Sequence, residues 1–105
     1  MLSGLKAREV MIGDGQIALL TSRVTVRYTG YLNRGEVFQR DVIISFIVGE
    51  RDIIAGLSHG VEGMRVGGRR RLQVGPHLAY RDRGVPAVVP ANAKLTFDVE
   101  LLSVG

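Results

Sequence analysis

Cysteine is absent from this chain, and with it any disulfide framework, thiol nucleophile or thiolate metal site. Tryptophan is also absent, and histidine occurs only at His59 and His77. Two histidines so far apart do not make a structural zinc centre, and neither stands in a serine, cysteine or acid pattern that would suggest a triad. Each is expected to be exposed or simply packed. No apolar run approaches the roughly 18 residues of a membrane span. The N-terminal stretch MLSGLKAREVMIGDG breaks its apolar residues with Lys6, Arg8 and Glu9, so it lacks a signal-peptide h-region. The expectation is a soluble cytoplasmic protein whose 105 residues form one domain, long enough for one core but not for two.

Lysine is scarce as well: arginine outnumbers it twelve to two, within a formal net charge of +4. A basic balance is compatible with nucleic-acid binding, but here the cations are scattered along the chain. The one dense cluster, Arg69 to Arg71, has no aromatic neighbour and lies in no recognisable nucleic-acid-binding motif. No nucleic acid is therefore expected as the main partner; binding through this cluster would be strongly salt-dependent.

What is abundant is glycine, fourteen residues of it, together with period-2 alternation. Both favour an antiparallel β protein. In LTFDVEL, Leu95, Phe97, Val99 and Leu101 face one way and Thr96, Asp98 and Glu100 the other. VTVRY repeats the pattern with Val24, Val26 and Tyr28, and RRRLQV with Arg70, Leu72 and Val74. Val42 to Val48 and Leu5 to Ile12 read as two further strands. Arg69 and Arg71 then share one polar face, Asp98 and Glu100 another, and opposite charges across neighbouring strands contribute roughly 0.2–1 kcal/mol per pair. Only RDIIAGLSHGVEGM reads as helix, because Ile53, Leu57, Val61 and Met64 fall on one side of a helical wheel. Gly56, Gly60 and Gly63 confine it to one or two turns from about Ile54 to near Gly60. Pro76 to Ala93, with three prolines, is expected to be loop.

Gly13-Asp14-Gly15 and Val66-Gly67-Gly68 lack the spacing of a phosphate-binding loop and read as turns. The sequence offers no obvious nucleophile, no paired catalytic acids and no metal set, so any activity must rest on shape and desolvation. Three of the six aromatic residues crowd into YTGYLNRGEVF, a hairpin with Tyr31 expected on its turn. Core packing accounts for Ile53, Val61 and Phe97. It accounts less well for Tyr80 and the apolar loop Val85 to Pro90, which should either be covered or cover something.

Three blocks, VTVRYTGYLNRGEVF, GLSHGVEGMRVGGRRRLQVGPHLAY and PANAKLTFDVELL, resemble in order and spacing the FKBP-type peptidyl-prolyl cis-trans isomerases. The resemblance runs from about Leu5 to the end of the chain. It implies an α+β fold, a strongly twisted antiparallel sheet of about five strands wrapped around one short α-helix, with an apolar pocket that receives a proline side chain. It implies catalytic roles for Tyr28, Phe38, Tyr80 and Phe97, and substrate contacts from Gln39, Ile44, Ile53, Ile54, Leu57, Val85 and Val89. The Ile54 backbone N–H and the Tyr80 hydroxyl fall where the family hydrogen-bonds its ligand. No cofactor or metal is implied, the partners are proline-containing peptides or unfolded proteins, and the state is a monomer.

Five residues depart from the family pattern around that pocket. Gln39 stands where an aspartate is usual, Leu57 for tryptophan, Ile44 for phenylalanine, Val85 for histidine, and Arg81 for the glycine after the tyrosine. The segment between Phe38 and Phe46 is also shorter than in many members. The resemblance thus implies an isomerase of X–Pro bonds with reduced activity and weakened affinity for macrolide immunosuppressants. The alternative is a non-catalytic proline-peptide-binding module on the same fold.

Overall fold

The computed structural model describes residues 3–81 and 83–105. Its elements in chain order are β1 (Leu5–Met11), β2 (Arg23–Leu32), β3 (Val37–Ile47), α1 (Ala55–Gly60), β4 (Arg69–Val74), a single 3-10 turn at Pro76–Leu78, and β5 (Leu95–Val104). The strands form one five-stranded antiparallel sheet in the order β1-β4-β5-β2-β3.

Alternation decides which face is covered. Val24, Val26 and Tyr28 of β2, Leu72 and Val74 of β4, and Leu95, Phe97, Val99 and Leu101 of β5 are all buried. Their neighbours Arg69, Arg71 and Gln73 lie exposed on the opposite face. There Arg71 makes two hydrogen bonds to Asp98, at 2.8 and 2.9 Å, while Arg27 and Arg69 share one oxygen of Glu100. The cross-strand charge pairing expected from the sequence is present, in the register Arg69 opposite Glu100 and Arg71 opposite Asp98.

The helix lies against the covered face. A Cβ at Gly56 would overlap Val74, and one at Gly60 would sit 2.5 Å from Leu72 Cδ1, so these glycines let the helix approach the sheet. Val61 and Met64 are buried as the wheel predicts and lie beyond the helix, which ends at Gly60 as the glycines imply. Beyond Gly60 the chain turns, with Gly63 at φ +86° donating to the carbonyl of Ala18 at 2.7 Å. Arg70, pointing inward, ties this exit down. It donates to the carbonyls of Gly60 and Glu62 at 2.8 Å each and pairs with Glu9 on β1.

Two expectations need correcting. Tyr31 is not on the hairpin turn but inside β2, opposite Val37 on one side and Thr96 on the other. The turn is residues 33–36, closed by the N–H groups of Leu32 and Gly35, and bulges at 28–31 carry the strand past the length that the alternation suggests. The segment 76–93 is also more ordered than a plain loop. Beyond its 3-10 turn, Val85 and Val89 exchange two backbone hydrogen bonds of 2.8 Å, and Asn92 donates to the Arg81 carbonyl at 2.8 Å.

Candidate functional site

Three elements converge on one ring. Phe97, in the middle of β5, is fully buried. Tyr28 meets it edge-on from β2 at 5.5 Å between ring centroids and 72°, and Phe38 from β3 at 5.9 Å and 74°. Such edge-to-face contacts add about 0.5–1.5 kcal/mol each to simple burial. Gly30 makes the second one feasible. It pairs with Phe97 across the strands, and a Cβ there would sit 2.8 Å from the Phe38 ring and 3.0 Å from Phe97. Sequence reasoning did not assign Gly30 a part in the site, although Tyr28-Thr29-Gly30 carries the signal.

Around this ring the other expected residues assemble by depth. Leu57 on α1 and Val89 in the loop are buried and complete the floor with Tyr28 and Phe97. Phe38, Ile44, Ile53, Ile54, Tyr80 and Val85 are half-buried and packed on that floor, so each keeps part of its apolar surface open. Gln39 is half-buried too and accepts the Tyr28 hydroxyl hydrogen at 2.8 Å. All eleven residues expected from the sequence thus belong to, or border, one contiguous apolar cluster.

The polar groups are few. Burial raises the Tyr28 phenol above its ordinary pKa, neighbouring Tyr80 adds to this, and the bond to Gln39 opposes it. Burial raises the Tyr80 phenol as well. Both hydroxyls therefore stay protonated at neutral pH and can donate. Tyr80 has no side-chain hydrogen bond among the described residues. The carbonyl of Ile54 accepts from Leu57 and Ser58 at the start of α1, but its N–H has no acceptor among the described residues. Two donors thus remain without a partner among the described residues, both on half-buried residues of the same apolar cluster. No group of three or more metal-ligating side chains occurs among the described residues.

The model of the FKBP-type peptidyl-prolyl cis-trans isomerase family matches residues 15–102. The chain belongs to that family. FK506-binding protein 4 of Rhizopus delemar is 40% identical to this FKBP-type domain over 104 residues, covering 96% of the chain and 27% of that protein. FK506-binding protein 4 of Dictyostelium discoideum is 40% identical over 103 residues, covering 96% and 28%. The chain thus spans about a quarter of the curated relatives it matches. Among solved structures, AtFKBP13 superposes with a TM-score of 0.86 at 30% identity, covering 98% of this chain and 94% of that one. A peptidyl-prolyl cis-trans isomerase from Pseudomonas syringae pv. tomato gives 0.85 at 28% identity, with 98% and 77% covered. Family and fold together support peptidyl-prolyl isomerisation as the reaction of this FKBP-type domain.

Its departures from the family pattern have visible local effects. With Gln39 in place of a carboxylate, Tyr28 donates to a neutral amide. Leu57 packs fully into the core, 2% exposed, so an aliphatic side chain closes the floor where the family carries a flat ring. Val85 is clamped to Val89 by backbone bonds. Arg81 holds φ +54°, the left-handed region that favours the glycine usual at this position.

Proposed function

We propose that this chain accelerates cis–trans exchange of X–Pro bonds in proline-containing peptides or unfolded proteins. In this reading the proline ring sits over Phe97, with Tyr28, Phe38, Ile53, Leu57 and Val89 around it. Ile54 N–H and the Tyr80 hydroxyl donate to the carbonyls flanking the proline, while Gln39, Ile44 and Val85 border the peptide. The observation that carries it is the pair of donors without partners among the described residues, in the same apolar cluster as the half-buried Phe38 ring that packs on Phe97.

The physics needs no acid or base. An X–Pro bond rotates slowly because amide resonance gives its C–N bond double-bond character. Twisting it removes that resonance and reduces the charge separation of the amide. An apolar wall favours the twisted, less polar state over the planar one, and shape complementarity to the twisted peptide adds to this. Each ~1.4 kcal/mol of such preference is tenfold in rate. The neutral Gln39 and aliphatic Leu57 reduce this preference and the affinity for macrolide immunosuppressants.

The test is NMR exchange between the cis and trans forms of a Leu-Pro and a Phe-Pro peptide, with and without the protein. Exchange should accelerate. Tyr80→Phe should lower the rate about tenfold, the worth of one hydrogen bond made in a water-poor site, with no loss of stability because no group among the described residues uses that hydroxyl. Gln39→Asp combined with Leu57→Trp should raise it. Unchanged exchange alongside chemical-shift changes at Phe38, Ile54 and Tyr80 would make the chain a binding module instead.

A further inference from the structure

The only two lysines of the chain line the same cleft. It has a volume of about 380 Å³ and opens on the face of the sheet opposite Phe97. Lys6 on β1, Gln73 on β4 and Thr96 on β5 stand opposite one another in register. Adjacent strands lie roughly 4.8 Å apart, so the row places three polar side chains within about 10 Å. Lys94 enters from the residue before β5, and Asn33 from the hairpin turn, whose preceding Leu32 pairs with Leu95. Gly4 and Gly75, joined by an N–H to carbonyl bond of 2.8 Å, also line the cleft.

No lining residue is acidic. Neither lysine takes part in an ion pair among the described residues, and the side chains of Asn33, Gln73 and Thr96 make no hydrogen bond to the described protein. The cleft around Arg27, Arg69 and Arg71 on the same face is different, because its arginines already hold Asp98 and Glu100. A third cleft joins the lysine site, sharing Lys6 and Gln73 and adding Arg8 and Arg71.

We propose that the lysine cleft binds a phosphoryl group. A phosphate monoester carries about −1.5 to −2 at pH 7, which two ammonium groups match and a single carboxylate does not. Lysine engages phosphate as a point charge on a flexible stem, and the two amides and the hydroxyl supply neutral donors around it. Arg8 extends the positive potential along the neighbouring cleft and meets whatever carries the phosphoryl group. Because Thr96 and Phe97 point to opposite faces of β5, this site and the aromatic one can be occupied independently.

The test is a ¹⁵N NMR titration of the whole chain at constant ionic strength with inorganic phosphate, a phosphoserine peptide and a nucleoside monophosphate, and with acetate as the carboxylate control. The expected result is a saturable shift confined to amides at Lys6, Gln73, Gly75 and Thr96. Whichever carrier binds most tightly identifies the source of the phosphoryl group. Lys6→Gln and Lys94→Gln should each weaken binding about tenfold. Both residues are exposed, so thermal stability and X–Pro exchange should stay unchanged. Shifts spread evenly over the arginine-bearing strands, an equal response to acetate, or unaltered affinity in the double variant would overturn the assignment.

Discussion

Arg81 occupies backbone space that suits glycine. At φ +54° it donates its N–H to Pro76 and accepts from Asn92, both at 2.8 Å, so the loop around it enforces the conformation. The left-handed region costs an L-residue about 1–2 kcal/mol, part of which glycine returns through its freer unfolded chain. Arg81→Gly should therefore raise stability by about 0.5–1 kcal/mol, seen as a higher denaturant midpoint at unchanged slope. Asp98 illustrates the opposite sign of local fit. The hydrogen bonds from Arg71 hold its carboxyl below the usual carboxylate range. A depressed carboxylate contributes stability that is present above its unfolded pKa and lost as pH falls through the folded one. The difference in stability between the protein and Asp98→Asn should accordingly be largest near neutral pH and shrink below about pH 4, measured by chemical denaturation along the pH series. The Asp98 pairing was legible in the sequence, because alternation fixes which side chains share a face. The Arg81 backbone was not, since no pattern of residue types reports a dihedral angle that tertiary contacts impose.

The short helix turns a familiar rule around. In an isolated helix, alanine is favoured over glycine by up to about 1 kcal/mol. At Gly56 the added methyl would overlap the Val74 side chain and approach the Leu78 carbonyl at 3.2 Å. Overpacking of that kind typically costs about 1–3 kcal/mol. Gly56→Ala should thus destabilise the domain, and calorimetry should show a lower Tm despite the gain in propensity. Read as a sequence, Gly56 and Gly60 limit the helix; in the structure they are also where it touches β4. Periodicity located the buried side of this segment correctly, and the glycines supplied its end, so that Val61 and Met64 reach the same core through turns. Likewise the hairpin was legible but not its length. Bulges at 28–31 leave no mark on a pattern that counts in twos.

Across the whole molecule, the sequence supplied the five strands and one helix but not the strand order. Alternation alone marks Tyr28 and Phe97 as sharing an inward face, whereas Phe38 enters the site only through the family resemblance, because the strand read at Val42 in fact begins at Val37. That two of them meet the third edge-on depends on β5 lying directly beside β2, a non-local fact. The last strand of the chain is in fact central, with β4 on one side and β2 on the other. Removing residues 95–105 should split the sheet into two unconnected pairs, β1–β4 and β2–β3, each too small to be stable alone, and circular dichroism of that fragment should lack the native β signal. The same arrangement governs how the domain comes into being during translation. While the ribosome is still adding Leu95 to Val104, β1 with β4 and β2 with β3 have no strand to join them, and Phe97, the ring at the centre of the proposed site, is not yet in place. Closure of the sheet and completion of the site are therefore one event, and it waits for β5.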